Sequence, residues 1–276
     1  MGLIPQKYAS WVQESLANAD QDWLIPDFLP AASLTIIAGR PKYGAKSWIS
    51  YMMAWAVSSG LPVGPFRPSR KVPCLYIDLE GIAKEAAKRV QLVRNGGIEV
   101  PSVDLMDMWQ AHGQLFLLSN AAHLDDLLDL VLTHRIKCVF IDTFAKAATG
   151  ADENSARDIG TVLLAIDRLK RAGVAVVLVH HLRKAFKQEG GASIDATAGL
   201  RGSGALEGGF DHILSVTTAT VDDVTQDYWV VGGKFQPWEA YEIDWTFKKD
   251  AYAKLAWQKM RTLPIADKPT RQPFRG

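Results

Sequence analysis

Residues 34–60, LTIIAGRPKYGAKSWISYMMAWAVSSG, decide how the rest of the chain is read. A β-branched apolar run ends at Gly39, a basic glycine-bearing turn leads to Lys46 and Ser47, and a segment rich in apolar and small residues follows. Strand, turn and helix in that order place backbone N–H groups and a lysine around the phosphates of a nucleotide, with the serine hydroxyl on Mg²⁺. The spacing departs from the usual phosphate loop of glycine, four residues and Gly-Lys-Ser/Thr. Gly39 and Gly44 are correctly placed, but Ala45 intervenes before Lys46. Counted back from Lys46, the glycine positions hold Arg40 and Ala45. The candidate nucleotide-binding residues are therefore the whole run Gly39, Arg40, Pro41, Lys42, Tyr43, Gly44, Ala45, Lys46, Ser47 and Trp48. The competing reading is an ordinary Gly-Pro turn between a strand and a helix.

The totals narrow the choice. A chain of 276 residues with 48% hydrophobic composition suits one large α/β domain. Lysine and arginine number 31 against 30 aspartate and glutamate, a net charge of +1, so no global field draws nucleic acid or a membrane surface. Any polyanion site is local. Cys74 and Cys138 each sit in an apolar run without CxxC or Cys/His spacing, as expected of reduced buried thiols. The N-terminus lacks a leader pattern and no run is long enough to span a bilayer, so a cytoplasmic protein with no membrane partner is expected.

Along the chain, residues 1–20 carry an amphipathic pattern around Tyr8, Trp11, Val12 and Leu16, and the Pro-containing segment DWLIPDFLPAAS leads into the first strand. Apolar runs ending near Gly39, Glu80, Asp142 and His180 alternate with helical patterns at 82–94, at AAHLDDLLDLVLTHR and at SARDIGTVLLAIDRLKRAG. Such alternation predicts a parallel sheet with helices on both faces and a ligand site at the carboxyl ends of the strands. After His181 comes a long stretch of low hydrophobicity with Gly, Lys and Arg. DHILSVTT, DYWVVGGKF and AYEIDWTF then read as three antiparallel strands. The expected division is an N-terminal helix and approach segment at 1–33, an ATPase domain at 34–262 and a polar tail at 263–276.

The strand ends supply what nucleoside triphosphate hydrolysis needs. Lys46 would contact the β- and γ-phosphates, and Ser47 and Asp142 would hold Mg²⁺. Asp142 ends a buried apolar strand, where a charge otherwise has no reason to be. Glu80 would polarise the attacking water, with Asp78 as its competitor, because strand alternation puts both acids on one face. His180 would be a polar sensor.

WLIPDFLPAASLTIIAGRPKYGAKSW, CLYIDLEG, VFIDTFAKAATGADENSARDIG, VVLVHHLRK and GLRGSGALEGGFDHIL together resemble the RecA-like P-loop ATPases, in particular the RepA-type hexameric replicative helicases and their DnaB-like phage and plasmid relatives. The resemblance implies a RecA-like fold, ATP and Mg²⁺ as cofactors, a homo-oligomeric ring (a hexamer) and single-stranded DNA as partner. It favours Glu80 over Asp78 as the catalytic glutamate and makes His180 the γ-phosphate sensor. It puts two central-channel loops between 183 and 204, with Arg183, Lys184, Lys187 and Arg201 facing DNA phosphates or, for Arg201, a neighbour's nucleotide. A basic stretch in an otherwise neutral chain suits such backbone binding. The family's Lys-x-Arg, a cation offered across the subunit interface, corresponds to Lys234 and Gln236 here. Besides that glutamine, Gly208 stands where some relatives carry a glutamine sensor, and the phosphate loop has its extra residue. The resulting expectation is an ATP-dependent DNA helicase or translocase. Two alternatives stand beside it: a RecA-like recombination or repair accessory ATPase, and a nucleotide-regulated DNA-binding protein with impaired hydrolysis.

Overall fold

The computed structural model of the protein describes residues 7–10, 13, 21–39, 46–81, 83–152, 154–181, 204–221, 224–248 and 251–259. The approach segment makes a small antiparallel ribbon, β1 (Trp23–Ile25) with β2 (Leu29–Pro30), and buries Leu24, Ile25, Phe28 and Leu29 against the domain. The chain then enters β3 (Leu34–Gly39). The strands β4 (Cys74–Asp78), β5 (Met108–His112), β6 (Cys138–Asp142), β7 (Ala175–His181) and β8 (His212–Val221) follow in sequence. They lie side by side in the order β8-β3-β7-β6-β4-β5, with every adjacent pair parallel. Every residue of β3, β4 and β6 is buried, which is why these strands read as unbroken apolar runs instead of alternating.

Helices cover both faces. On one lie α1 (Lys46–Ser59) and α2 (Ala83–Asn95), packed over Tyr76, Phe140 and Val177. On the other, α3 (Ala121–Thr133), α4 (Phe144–Ala147), α5 (Ala156–Arg171) and α6 (Gly204–Gly209) pack over Ile77, Val139, Ile141 and Leu178. Local signals set the helix starts. Asn120 Oδ1 accepts from the backbone N–H of Ala122 at 2.9 Å, and Ser155 Oγ accepts from that of Asp158 at 3.3 Å.

The C-terminal part differs from the sequence expectation in two ways. The strand predicted to begin the antiparallel set, β8, is parallel to β3 on one side and antiparallel to β9 (Val224–Gly233) on the other. Beyond β10 (Glu239–Lys248) a fourth strand, β11 (Tyr252–Lys259), closes a hairpin and forms the edge of the nine-stranded sheet. Its alternation of small or apolar residues with lysine and glutamine is that of a strand with one wet face.

This edge curls back over α1 until it reaches α2. Asn95 Nδ2 donates to the Ala251 carbonyl at 2.8 Å. A Cβ on Gly96 would collide with the Ala253 carbonyl oxygen, so the approach requires glycine. Enclosed between sheet and hairpin, α1 buries every residue except Ser47 and Trp48, and it shows no polar face in its sequence because none meets water. Among the described residues, no helix is long and apolar enough to cross a membrane.

Candidate functional site

The parallel strands bring the predicted acids into one row. His112, Asp78, Asp142, Val179, Ile37 and Leu214 are in register across β5, β4, β6, β7, β3 and β8. Pleating sends the side chains of the row to the face covered by α1. There the first turn of α1 supplies Lys46, whose stem lies against Gly39: a Cβ on that glycine would sit 3.2 Å from Lys46 Cγ and Cδ. Residues 40–45 of the predicted phosphate loop (Arg40, Pro41, Lys42, Tyr43, Gly44 and Ala45) lie outside the described residues, as do Arg183, Lys184, Lys187 and Arg201.

Electrostatics couple the groups that are described. Burial pushes the Lys46 ammonium down to about 8, and the nearby Asp142 and Glu80 carboxylates pull it back up. Burial raises Asp142 to about 6, against a hydrogen bond from Ser47 that lowers it. Asp142 Oδ2 accepts from the Tyr76 hydroxyl at 3.2 Å, and that hydroxyl shares a hydrogen bond with Ser50 Oγ at 2.6 Å. Asp142 Oδ1 is buried with no hydrogen-bond partner among the described residues. A serine hydroxyl beside a buried carboxylate with an open oxygen is a hard-donor pair that fits Mg²⁺, which takes one or two carboxylates and completes its shell with phosphate and water. Among the described residues there is no cluster of three or more His, Cys, Asp or Glu that would hold a metal without a nucleotide.

Asp78 and Glu80, which spacing left undivided, have different surroundings. Asp78 is buried and surrounded by donors. Tyr51 Oη donates to Oδ2 at 3.0 Å, the backbone N–H groups of Glu80 and Gly81 donate to Oδ1, and Arg89 Nη1 stands 3.7 Å from Oδ2. Glu80 sits in the bend two residues past the end of β4, exposed, with Oε1 accepting from Thr143 Oγ1 at 2.9 Å. Only Glu80 is placed to meet a solvent-borne ligand beside Lys46.

The two histidines also part company. His180 packs edge-on against Phe144 of α4 at 5.1 Å, on the face of the sheet opposite Asp142. His181 pairs in register with Gly39, and alternation puts its side chain on the face of α1. Lys234 is not brought to the site of its own subunit. It lies near the amino end of β3, where its Nζ is 2.8 Å from Asp211 Oδ1. Lys170 holds the other oxygen at 2.5 Å, and the Leu34 backbone N–H also donates to Asp211. Burial pushes the Asp211 carboxyl up, but the hydrogen bonds from both lysines and from Leu34 outweigh it and hold it below the usual range. Gln236, which occupies the arginine position of the family pattern, donates to the Asp27 carbonyl at 2.8 Å.

Sequence reading passed over Tyr76 and Thr143. Strand parity was the available signal for the first, because Tyr76 precedes Asp78 by two residues and must share its face. Adjacency to Asp142 was the signal for the second.

No curated protein matches the sequence. In fold, the chain is similar to a KaiC-like protein from the hyperthermophilic archaeon Pyrococcus horikoshii, with a TM-score of 0.54 and 12% identity over 84% of this chain and 93% of that one. Residues 7–186, more than half of the chain, match the AAA domain family AAA_25. With a mainly parallel sheet, a lysine and serine opening the helix after its central strand and a buried aspartate two strands away, the chain belongs to this AAA domain family and is a RecA-like P-loop ATPase.

Proposed function

We propose that the protein is an ATP-driven, ring-forming motor that translocates on or unwinds single-stranded DNA in phage- or plasmid-type replication. The observation that carries the ATPase part is the meeting of Lys46, Asp142 and Glu80 from three separate elements at the carboxyl end of one sheet. Lys46 neutralises phosphate oxygens. Ser47 and Asp142 would hold Mg²⁺, which when bound shields the developing phosphate charge. Glu80, fixed by Thr143, orients and polarises a water at the exposed side of the site.

The DNA part rests on the sequence. In a chain of net charge +1, the stretch from 182 to 203 gathers Arg183, Lys184, Lys187 and Arg201 just after β7, the strand that lies between the phosphate-loop strand and that of Asp142. Polymer binding through these side chains would neutralise backbone phosphates without reading sequence. The assembly is a homo-oligomeric ring, hexameric in the manner of the relatives the motifs resemble, with a neighbour's Arg201 or Lys234 supplying a further cation across the subunit interface.

The test combines hydrolysis, sizing and strand displacement with and without a single-stranded oligonucleotide. DNA-stimulated ATPase activity that disappears in Lys46→Ala and Glu80→Gln while DNA binding persists supports the motor. Absence of any DNA-stimulated hydrolysis, with Lys46→Ala indistinguishable from the parent, overturns it. Hydrolysis without strand displacement in any polarity assigns the protein to the accessory ATPases instead.

A further inference from the structure

We infer that Asp78 is a positioning residue for Glu80: it does not touch the ligand but fixes the backbone bend from which Glu80 reaches the reacting water. This rests on the ATPase reading above and deepens it. β4 ends at Asp78, and the chain must turn within two residues to present Glu80 at the mouth of the site. A bend at a strand end has no ladder partner for its N–H groups, so they need another acceptor. Asp78 Oδ1 is that acceptor for both Glu80 and Gly81. The side chain of residue 78 therefore sets the direction in which residue 80 leaves the sheet.

The carboxylate is itself held rigidly. Tyr51 of α1 donates to Oδ2 at 3.0 Å and is backed by Gln110 of β5, whose Nε2 donates to the Tyr51 hydroxyl at 2.6 Å. Arg89 of α2 lies across the Tyr51 ring, with Cζ 4.8 Å from its centroid, and faces Oδ2 at 3.7 Å. His112 Nδ1 stands 3.8 Å from the same oxygen. Three elements, α1, α2 and β5, thus converge on one buried side chain that is too deep to meet a nucleotide. Gly81 completes the arrangement, because a Cβ there would overlap the Asp78 carboxylate. The far end of Glu80 is pinned independently by Thr143, which opens α4 but spends its hydroxyl on Oε1 instead of on the helix N-terminus. Glu80 is therefore located at its backbone by Asp78 and at its carboxylate by Thr143, an orientation that hydrolysis needs to within a fraction of an ångström.

The experiment measures steady-state ATP hydrolysis beside equilibrium binding of a fluorescent ATP analogue, in full-length protein. Asp78→Ala, which removes the acceptor, and Gly81→Ala are each expected to lower kcat by about 10- to 100-fold while the analogue's Kd stays within about twofold. Thr143→Val is expected to lower kcat by about 3- to 10-fold with the same Kd, because one of the two anchors remains. Gly81→Ala displaces the bend without altering any charge, so it reads positioning even where Asp78→Ala fails to fold. Parallel loss of kcat and analogue binding in Gly81→Ala would mean a general structural role and overturns the inference. Parent-like kcat in Asp78→Ala or Gly81→Ala, with Glu80→Gln inactive, also overturns it and leaves the ATPase reading intact. Full activity in Glu80→Gln removes the catalytic assignment on which both rest.

Discussion

Two buried aspartates mark opposite ends of the central sheet, and their surroundings are opposite too. Asp211, near the amino end of β3, is held by Lys170, Lys234 and a backbone N–H, and its carboxyl sits below the ordinary range. Asp142, at the carboxyl end of β6, keeps one oxygen without a hydrogen-bond partner among the described residues and is raised to about 6 by burial. The first is a charge whose compensation is complete within the chain, so it ties elements together. The second is a charge whose compensation is incomplete until something positive arrives, which is what a metal-nucleotide site requires.

Substitution separates the two, and the largest effect belongs to Asp142. Asp142→Asn is expected to reduce ATP hydrolysis by about 100-fold or more, since losing the metal carboxylate removes several kcal/mol of charge stabilisation. A parent-like rate in a Mg²⁺-dependent assay would erase the contrast. Asp211→Ala should act on stability instead. Stranding the Leu34 N–H and two lysines is expected to cost about 2–3 kcal/mol, a fall in Tm of roughly 5–10 °C by calorimetry. Hydrolysis measured well below that Tm should stay within about threefold of the parent, as a rate effect of that size is the most a remote change usually brings.

The sign of the pH dependence sharpens the comparison. A carboxyl raised to about 6 by burial prefers its proton in the folded state, so Asp142 costs nothing below the unfolded value near 3.8, grows destabilising as pH rises from there, and carries its full penalty above about 6. Asp211, being depressed, stabilises above the unfolded value and loses that contribution as pH falls through its folded one. Without nucleotide, Asp142→Asn should therefore stabilise the protein at pH 8 by about 1–2 kcal/mol, part of the gain being lost with its attraction to Lys46. The difference should vanish near pH 4. Thermal melts at the two pH values decide it, and a destabilised Asp142→Asn at pH 8 would place Asp142 with the structural acids. The smallest change is Tyr76→Phe, which removes one donor to Asp142 and should shift stability by less than about 1 kcal/mol in chemical denaturation.

What could be read beforehand follows from which signals are local. A buried strand announces itself by composition, so β3, β4, β6 and β7 and the acid ending β6 were legible from their residues alone. Strand direction leaves no such mark. The alternating residues of β8 are the same whether its neighbour runs with it or against it, and only the sheet reveals that it is parallel to β3. Spacing could not choose between Asp78 and Glu80, which only the resemblance favoured, for a related reason: parity assigns both to one face, whereas the difference lies in where the strand ends and which donors gather there. Alternation alone puts the adjacent His180 and His181 on opposite faces; which of them shares the face of α1 is decided by the register, which no spacing rule supplies. The strand β11 was missed because Lys254 and Gln258, on the face opposite the buried Ala253 and Leu255, dilute the apolar half that packs inward.

The hairpin that curls over α1 has a consequence for how the chain is made. The helix carrying Lys46 is apolar on every side, yet the lid over its outer side comes from residues nearly two hundred positions later. During synthesis, then, the nucleotide-binding helix has a sheet and the N-terminal ribbon to rest on but lacks the hairpin's share of its cover until the last strands emerge. For that interval, and in any chain cut before β10, the apolar surface of α1 around Trp48, which Trp245 and Phe247 otherwise cover, is open to other nascent chains.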